Sequence, residues 1–407
     1  MLKKIPVARL RLGMFIHEFC GDWMSHPFWT KRFLLKEGAV LERIRGSGLQ
    51  FVYIDTSKGL DDQDAPTVEQ VQAEVENQIQ AVVAQAPPPS VRVSVRQELE
   101  RARKVHAQAY KAVRTVMQDV RLGQAVSVEM AEPVVEAISE SVLRNSGALI
   151  GLVGIKNKDD YTFLHSVSVC TLMVAFARSL ELPAEAQRQA GIGGLLHDVG
   201  KMKVPDAVLN KPGRLTPEEF DLIKKHPGDG HAALLEIPGI GPVPLDITRH
   251  HHERLDGTGY PDALAGDQIS VMARMAAIVD VYDAISADRC YHKGMPPAEA
   301  LRKMWEWSNN HFDQTLLQAF MRCVGIYPVG SLVRLESGRL GVVVEQNEGH
   351  LLAPRVKVFF SIKSNGYIKP EVVDLSRKLG HGGGDKIIAP ESPAKWGVDP
   401  MRFLGMD

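Results

Sequence analysis

Seven of the chain's 14 histidines fall between positions 165 and 252: His165, His197, His226, His231, His250, His251 and His252. In "GLLHDVGKMKVPD" an apolar helix delivers His197 and Asp198 side by side, breaks at Gly200 and places Lys201 immediately after. In "HHERLDGTGYP" two adjacent imidazoles precede a turn built on Gly257 and Gly259, a composition that a buried core rarely uses. An imidazole offers one free nitrogen and a carboxylate two oxygens, so a His-Asp pair can ligate one cation or let the carboxylate bridge two. A later helix, "VMARMAAIVDVYDAISADRCY", sets Asp280 and Asp283 on a face expected to be buried, where unpaired carboxylates are costly unless a cation compensates them. His165, alone on an apolar helix, would by itself read as a hydrogen-bonded core histidine. The company of the other groups makes metal binding the better reading.

The elements that must position these residues are helical. From about Ser94 to Gly147 apolar residues recur at spacings of three and four, as at Leu99, Val105, Ala109, Val113 and Val116, and helices then dominate to about Cys323. Before this lies an alternating apolar and polar stretch over residues 1–60, a small N-terminal domain with strands, and an Ala/Gln/Pro-rich linker over 61–96 with a short helix expected in its middle. Connecting helices are expected over 97–147 and a main helical domain, which carries the clustered histidines, over 148–325. The β-branched runs "SLVRLESGRLGVVVEQ" and "RVKVFFSIKSNGYIKP" predict a small β appendage of three to five strands over 326–378, followed by a tail, 379–407. The fold class is mainly α: a helical bundle, a small α/β or β-containing domain ahead of it, and a β appendage behind.

With 407 residues the chain is long enough for two or three domains. Its formal net charge of -1 argues against a nucleic-acid polymer as partner, so any anionic ligand must be held by local charge. Cys20, Cys170, Cys290 and Cys323 are far apart and suggest neither a zinc knuckle nor a disulfide framework, which fits a reducing cytoplasm. The most apolar long stretch, "YTFLHSVSVCTLMVAFARSL", carries His165 and Arg178 and reads as a buried helix rather than a membrane span.

Together "HDVGK", "LNKPGRLTPEEF", "HP" at 226–227, "HHERLDGTGYP" and "DVYDAISADRCY" resemble the HD-GYP family, a branch of the HD phosphohydrolase superfamily, over about residues 159–296. "HPFWTKRFLL" and "VYIDTSKG" resemble the uncharacterised domain found ahead of HD-GYP domains in bacteria. The resemblance implies an HD-type helical bundle and a phosphodiesterase that hydrolyses cyclic di-GMP to pGpG and often on to GMP. Carried over residue by residue, it places metal ligands at His165, His197, Asp198, His226, His251, His252 and Asp280. His165, His197 and Asp280 are assigned to one ion, His226, His251 and His252 to the other, and Asp198 to both. A hydroxide held between the ions would then attack the phosphodiester in line.

Lys201 suits the phosphate as a point charge with three donors. Asp283, Arg289 and Arg254 are further candidates for substrate contact, Asp283 either supporting a ligand or meeting guanine, and Arg254 alternatively pairing with Glu253. Gly259, Tyr260 and Pro261 form the rim of the site and, by the resemblance, a contact for diguanylate cyclase (GGDEF) domains. His231 and His250 lie outside the motif positions and read as structural. Thr216, Pro217 and Glu219 carry the signature of a helix N-terminus with a capping box.

Two departures stand out. Where some family members carry a glutamate that supports a third metal, this chain has Tyr161, so two ions are expected. "DRCY" replaces the common "DRPY", with Cys290 for proline and His292 and Lys293 following. A His-rich, carboxylate-bridged set without thiolates suits iron or manganese. The competing readings are a phosphohydrolase for another cyclic dinucleotide, and a low-turnover sensor or docking module. The helix over 97–120 is a candidate homodimer surface.

Overall fold

The computed structural model of the chain describes residues 1–20, 32–47, 49–83, 93–124, 128–154, 161–211, 213, 215–287, 294–347, 350–377 and 384–405. Arg289, a candidate substrate contact, lies outside them with Cys290, His292 and Lys293. The chain divides into two units, residues 1–81 with 305–309, and residues 82–304 with 310–407.

In the first unit, alternation of apolar and polar residues becomes a sheet. Strands β1 (Leu2–Pro6), β2 (Phe15–Cys20), β3 (Phe33–Leu34) and β4 (Phe51–Asp55) lie in the order β1-β4-β2-β3, all antiparallel, with helix α1 (Gly38–Arg45) between β3 and β4. Ile5, Ile16, Val52 and Ile54 point to one side and are fully buried with Leu10, Met14, Leu35 and Ile44, as expected of a sheet with one covered face. The stretch read as a linker contains α2 (Val68–Val83), a helix of 16 residues.

The second unit begins with α3 (Val95–Arg121), opened by a capping box in which Ser94 and Gln97 satisfy each other's backbone N–H groups. Its apolar stripe, including Leu99, Ala102, Ala109, Val113 and Val116, is buried. It packs on α4 (Glu132–Val153). Between them Glu98, with no exposed surface, accepts hydrogen bonds from Ser141 Oγ (2.8 Å), Arg144 Nε (2.8 Å) and Arg144 Nη2 (2.9 Å). Glu98→Ala leaves the serine and the half-buried guanidinium without their acceptor. We expect a loss of about 3 kcal/mol, read as a lower urea midpoint. An unchanged midpoint would show that Arg144 finds water at no cost.

The helices that follow are α5 (Tyr161–Ser179), α6 (Ala184–Leu196), α7 (Asp206–Leu209), α8 (Pro217–Ile223), α9 (His226–Leu235), α10 (Pro242–His250), α11 (Val271–Ser286), α12 (Pro297–His311) and α13 (Gln314–Val324). Helix α5 is long and apolar enough to cross a membrane over Thr162–Ser179, but 72% of that window is buried inside the fold, packed against α4, α6 and α11. Helix α8 starts where Thr216 and Glu219 close their capping box.

Strands β5 (Leu332–Leu335), β6 (Arg339–Glu345), β7 (Arg355–Ser361), β8 (Gly366–Asp374) and β9 (Ile387–Pro390) form an antiparallel sheet in the order β8-β7-β6-β5-β9. Strand β9 belongs to residues read from sequence as a tail. Its run of four residues is too short to mark a strand by itself, and it is placed by pairing with β5, where Ile387, partly buried, packs on the sheet's core while Ile388 stays exposed. Beyond it come α14 (Pro393–Trp396) and α15 (Met401–Leu404), and Phe403 stacks on Phe359 with ring centroids 4.1 Å apart. The architecture is mainly α, with a strand-containing N-terminal unit and a C-terminal sheet.

Candidate metal centre

Helix α5 is buried on nearly all sides, with Val167, Cys170, Met173 and Phe176 at no more than trace exposure, so His165 near its start is carried into the interior. Helix α6 ends at Leu196, with His197 as its C-cap and Asp198 leading into a tight turn over Val199–Lys203. His226 opens α9, followed by Pro227 in the first turn, where a missing N–H does no harm. His251 caps α10 and His252 follows it, while Asp280 and Asp283 sit one turn apart on α11, both buried.

The structure brings these residues together in two groups. One holds His165, His197 and Asp280; the other holds Asp198, His226, His251 and His252, and within each group the candidate donor atoms lie within 4.8 Å of one another. Asp198 faces both. Its Oδ2 is 3.4 Å from His165 Nε2 and 3.3 Å from His197 Nε2, and its Oδ1 is 3.2 Å from His226 Nε2 and 3.8 Å from His251 Nε2. Lys201 Nζ lies 2.6 Å from Asp198 Oδ2, in contact with the shared carboxylate.

Four imidazoles are oriented by the nitrogen that faces away from the centre. Nδ1–H donates to Asp283 Oδ2 from His165 (2.6 Å), to Gly194 O from His197 (2.8 Å), to Ile223 O from His226 (2.7 Å) and to Thr248 O from His251 (3.0 Å). A carbonyl oxygen can only accept, so in the last three a proton sits on Nδ1, and whenever the ring is neutral the Nε2 lone pair is left for a ligand.

Burial lowers the pKa of His226, and burial together with the neighbouring His197 and His226 rings pushes His251 down to about 3. His252 is held well below the ordinary range by burial and by His251 and His226. For His197 burial acts in the same direction, but the Asp198 and Asp280 carboxylates outweigh it and raise the pKa. Burial also opposes the charge of Asp198 and Asp280. The His197 and Lys201 charges hold Asp198, and the His165 contact holds Asp280, well below the usual carboxylate range.

Neutral imidazoles and ionised carboxylates are the forms that bind cations. Asp198 Oδ1 and His252 Nε2 are buried without a hydrogen-bond partner among the described residues. Buried polar atoms of this kind are costly unless a ligand satisfies them, and the converging nitrogen and oxygen donors, with no thiolate, fit a divalent cation in each group.

Other sequence-predicted residues fall as follows. Asp283, read as either supporting a ligand or meeting guanine, is buried with Oδ2 2.6 Å from His165 Nδ1, the geometry of the first alternative. Glu253 is not at the surface beside Arg254. It is buried, and its carboxylate accepts the backbone N–H groups of Asp262 (2.7 Å) and Leu264 (3.0 Å) across the glycine-rich loop. Arg254 is half-buried on that loop. A Cβ on Gly259 would come 2.4 Å from Glu253 Cα, so this position requires glycine for close approach, while Pro261 is exposed. Tyr161 begins α5.

His250, read as an extra imidazole, bridges two carboxylates: Nδ1 is 2.7 Å from Asp246 Oδ1 and Nε2 is 3.0 Å from Asp262 Oδ2. Both partners raise its pKa against the effect of burial. His231 is half-buried, with its pKa lowered by burial and by Arg249 nearby. Asp246 and Asp262 were not singled out from sequence; the available signal was a pair of acids flanking the histidines at spacings of 4 and 12 residues from His250.

Residues 2–131 match the family model described as Domain of unknown function (DUF3391), and residues 154–316 match that of the HD domain, a metal-dependent fold. A cyclic di-GMP phosphodiesterase of Pseudomonas aeruginosa is 50% identical over 397 residues, covering 97% of this chain and 94% of its own. A 3'3'-cGAMP-specific phosphodiesterase of Vibrio cholerae is 36% identical over 166 residues, which is 40% of this chain and 38% of that protein. Among solved structures, a HDG"Y"P protein from Bdellovibrio bacteriovorus is 20% identical, with a TM-score of 0.46, covering 79% of this chain and 98% of that one. The near-complete match to the Pseudomonas enzyme, together with the HD domain and its two donor groups, makes this chain a member of the HD-GYP family.

Proposed function

We propose that the chain hydrolyses cyclic di-GMP to pGpG, and onward to GMP, with two divalent cations of iron or manganese. The observation that carries this reading is Asp198, one carboxylate whose two oxygens face two separate groups of donors. The activity of the Pseudomonas relative supplies the substrate. His165, His197 and Asp280 would hold one ion, His226, His251 and His252 the other, and Asp198 both. When bound, the ions supply Lewis acidity and charge neutralisation to phosphodiester hydrolysis.

The chain's own residues do the rest. The Nδ1 hydrogen bonds fix four imidazoles before any ion arrives, which lowers the cost of assembling the site. The Lys201 ammonium, 22% exposed, is the cation next to the shared carboxylate that solvent can reach, and it meets the non-bridging phosphate oxygens. Lys201→Gln is therefore expected to lower kcat/KM about 10²-fold with metal content retained. Loss of metal in that variant would show that Lys201 supports Asp198 instead.

The test of the whole reading is purification without oxygen, iron and manganese per chain, and chromatography of cyclic di-GMP and 3'3'-cGAMP incubated with the same sample. Two ions with conversion to pGpG or GMP support it. Faster conversion of 3'3'-cGAMP would move the substrate assignment, and two ions without conversion of either would leave a sensor or docking role, the cyclase-binding rim among them.

A further inference from the structure

His252 is the exception among the five imidazoles of the centre. His165, His197, His226 and His251 are each fixed by a hydrogen bond from Nδ1 to an oxygen. For His252, among the described residues, Nε2 has no hydrogen-bond partner and Nδ1 lies 3.8 Å from its nearest carboxylate oxygen, Asp280 Oδ2. Its ring lies among other rings instead: the donors His251 and His226, with centroids 4.1 Å and 5.0 Å away, and from outside the centre Tyr260, with centroids 4.8 Å apart and planes inclined by 30°.

Tyr260 is itself firmly placed. Its backbone N–H donates to His252 O (3.2 Å), so the loop folds back onto the very residue that the ring covers. Beyond it, Glu253 holds the N–H groups of Asp262 and Leu264, and the Asp262 carboxylate receives Arg249 Nε (2.6 Å) and Nη2 (2.8 Å) as well as facing His250. Arg249 and His250 are the last two residues of α10, directly before the ligand pair. Gly259 permits the close approach that brings the ring in. The loop is thus closed on the end of α10 from both sides.

We propose that Tyr260 is a positioning residue for His252, its ring taking the orienting role that hydrogen bonds play for the other four imidazoles, with the Glu253 and Asp262 contacts holding that ring in place. This rests on the two-group reading of the centre given above. A ring that is oriented before binding loses less freedom when it ligates, and partners of this kind are worth about 10- to 100-fold in metal affinity. The aromatic face does the work, so phenylalanine substitutes for tyrosine and an aliphatic residue of similar bulk does not.

The test uses the full chain stripped of metal and titrated with manganese, followed by calorimetry and by the electron paramagnetic resonance of free ion. Wild type is expected to bind two equivalents. Tyr260→Leu is expected to weaken one of them about 10- to 100-fold and to leave the other unchanged, while Tyr260→Phe binds both like wild type. In cyclic di-GMP assays the Leu variant should lose kcat at limiting manganese and regain it at excess, with KM unchanged, a pattern that a loss of fold stability alone would not produce. Wild-type affinity at both sites in Tyr260→Leu overturns the proposal, as does a Phe variant as weak as the Leu variant, which would transfer the role to the hydroxyl. Because ion binding is read without substrate, a normal split between the variants with no cyclic di-GMP turnover would sink the substrate assignment alone. A wild-type chain that bound no ion would sink the metal reading and this role together.

Discussion

Asp198→Ala is expected to abolish binding of both cations and to lower turnover by about three orders of magnitude while the helices stay folded. The carboxylate is 1% exposed and is the group whose oxygens reach both sets of donors. Removing it takes an anionic donor from each set at once, and the several kcal/mol that bound ions contribute to the transition state convert to rate at about 1.4 kcal/mol per decade. The same variant isolates the effect of metal on stability. An ion present at 100 times its Kd stabilises the native state by about 2.7 kcal/mol, or roughly 5–10 °C in Tm for a domain of this size. Manganese should therefore raise the Tm of wild type and leave that of Asp198→Ala unmoved. Elemental analysis, circular dichroism and a turnover assay on one preparation decide the matter. Two ions bound in the variant would place the bridge elsewhere.

Gly200→Ala should be the most damaging addition of a single methyl group in the catalytic domain. A Cβ built at Gly200 falls 2.0 Å from His226 O and 2.5 Å from Gly230 N, both backbone atoms of α9. No rotamer change relieves a clash with backbone, so the turn after Asp198 and the start of α9 must separate. Overpacking costs about 1–3 kcal/mol and occasionally more. Moving His226 by about 1 Å relative to Asp198 is enough for a further 10²-fold in rate. Gly228 supplies the control. It lies in the same helix, a Cβ there meets nothing within 4 Å, and alanine there should be neutral or stabilising by up to about 1 kcal/mol. If Gly200→Ala behaved like Gly228→Ala in Tm and metal content, the contact between the His-Asp turn and α9 would not set the site's geometry.

How much of this could be read without coordinates varies from residue to residue. The run from Leu99 to Val116 is legible as a helix face because a period of three and four is local, and the capping box at Thr216 needs only three residues of context. Strand β9 was illegible because its pairing depends on β5, more than 50 residues earlier in the chain. The role of Asp283 stayed open between supporting a ligand and meeting guanine for a related reason: its partner, His165, is 118 residues away, and no pattern near Asp283 distinguishes a carboxylate that orients an imidazole from one that meets a base.

By itself the sequence determined the kinds of donor and their order along the chain. Imidazoles and carboxylates at helix ends and on an apolar face carry a burial cost that points to cations wherever they meet. Only the tertiary structure decided how they meet: that the two Asp198 oxygens face different groups, that four imidazoles turn Nδ1 outward to a backbone carbonyl three residues earlier or to Asp283, and that Tyr260 covers the fifth. The physical reason is that donor chemistry is a property of each side chain, whereas donor direction depends on how α5, α6, α9, α10 and α11 pack, and close contacts such as that of Gly200 with α9 set that packing.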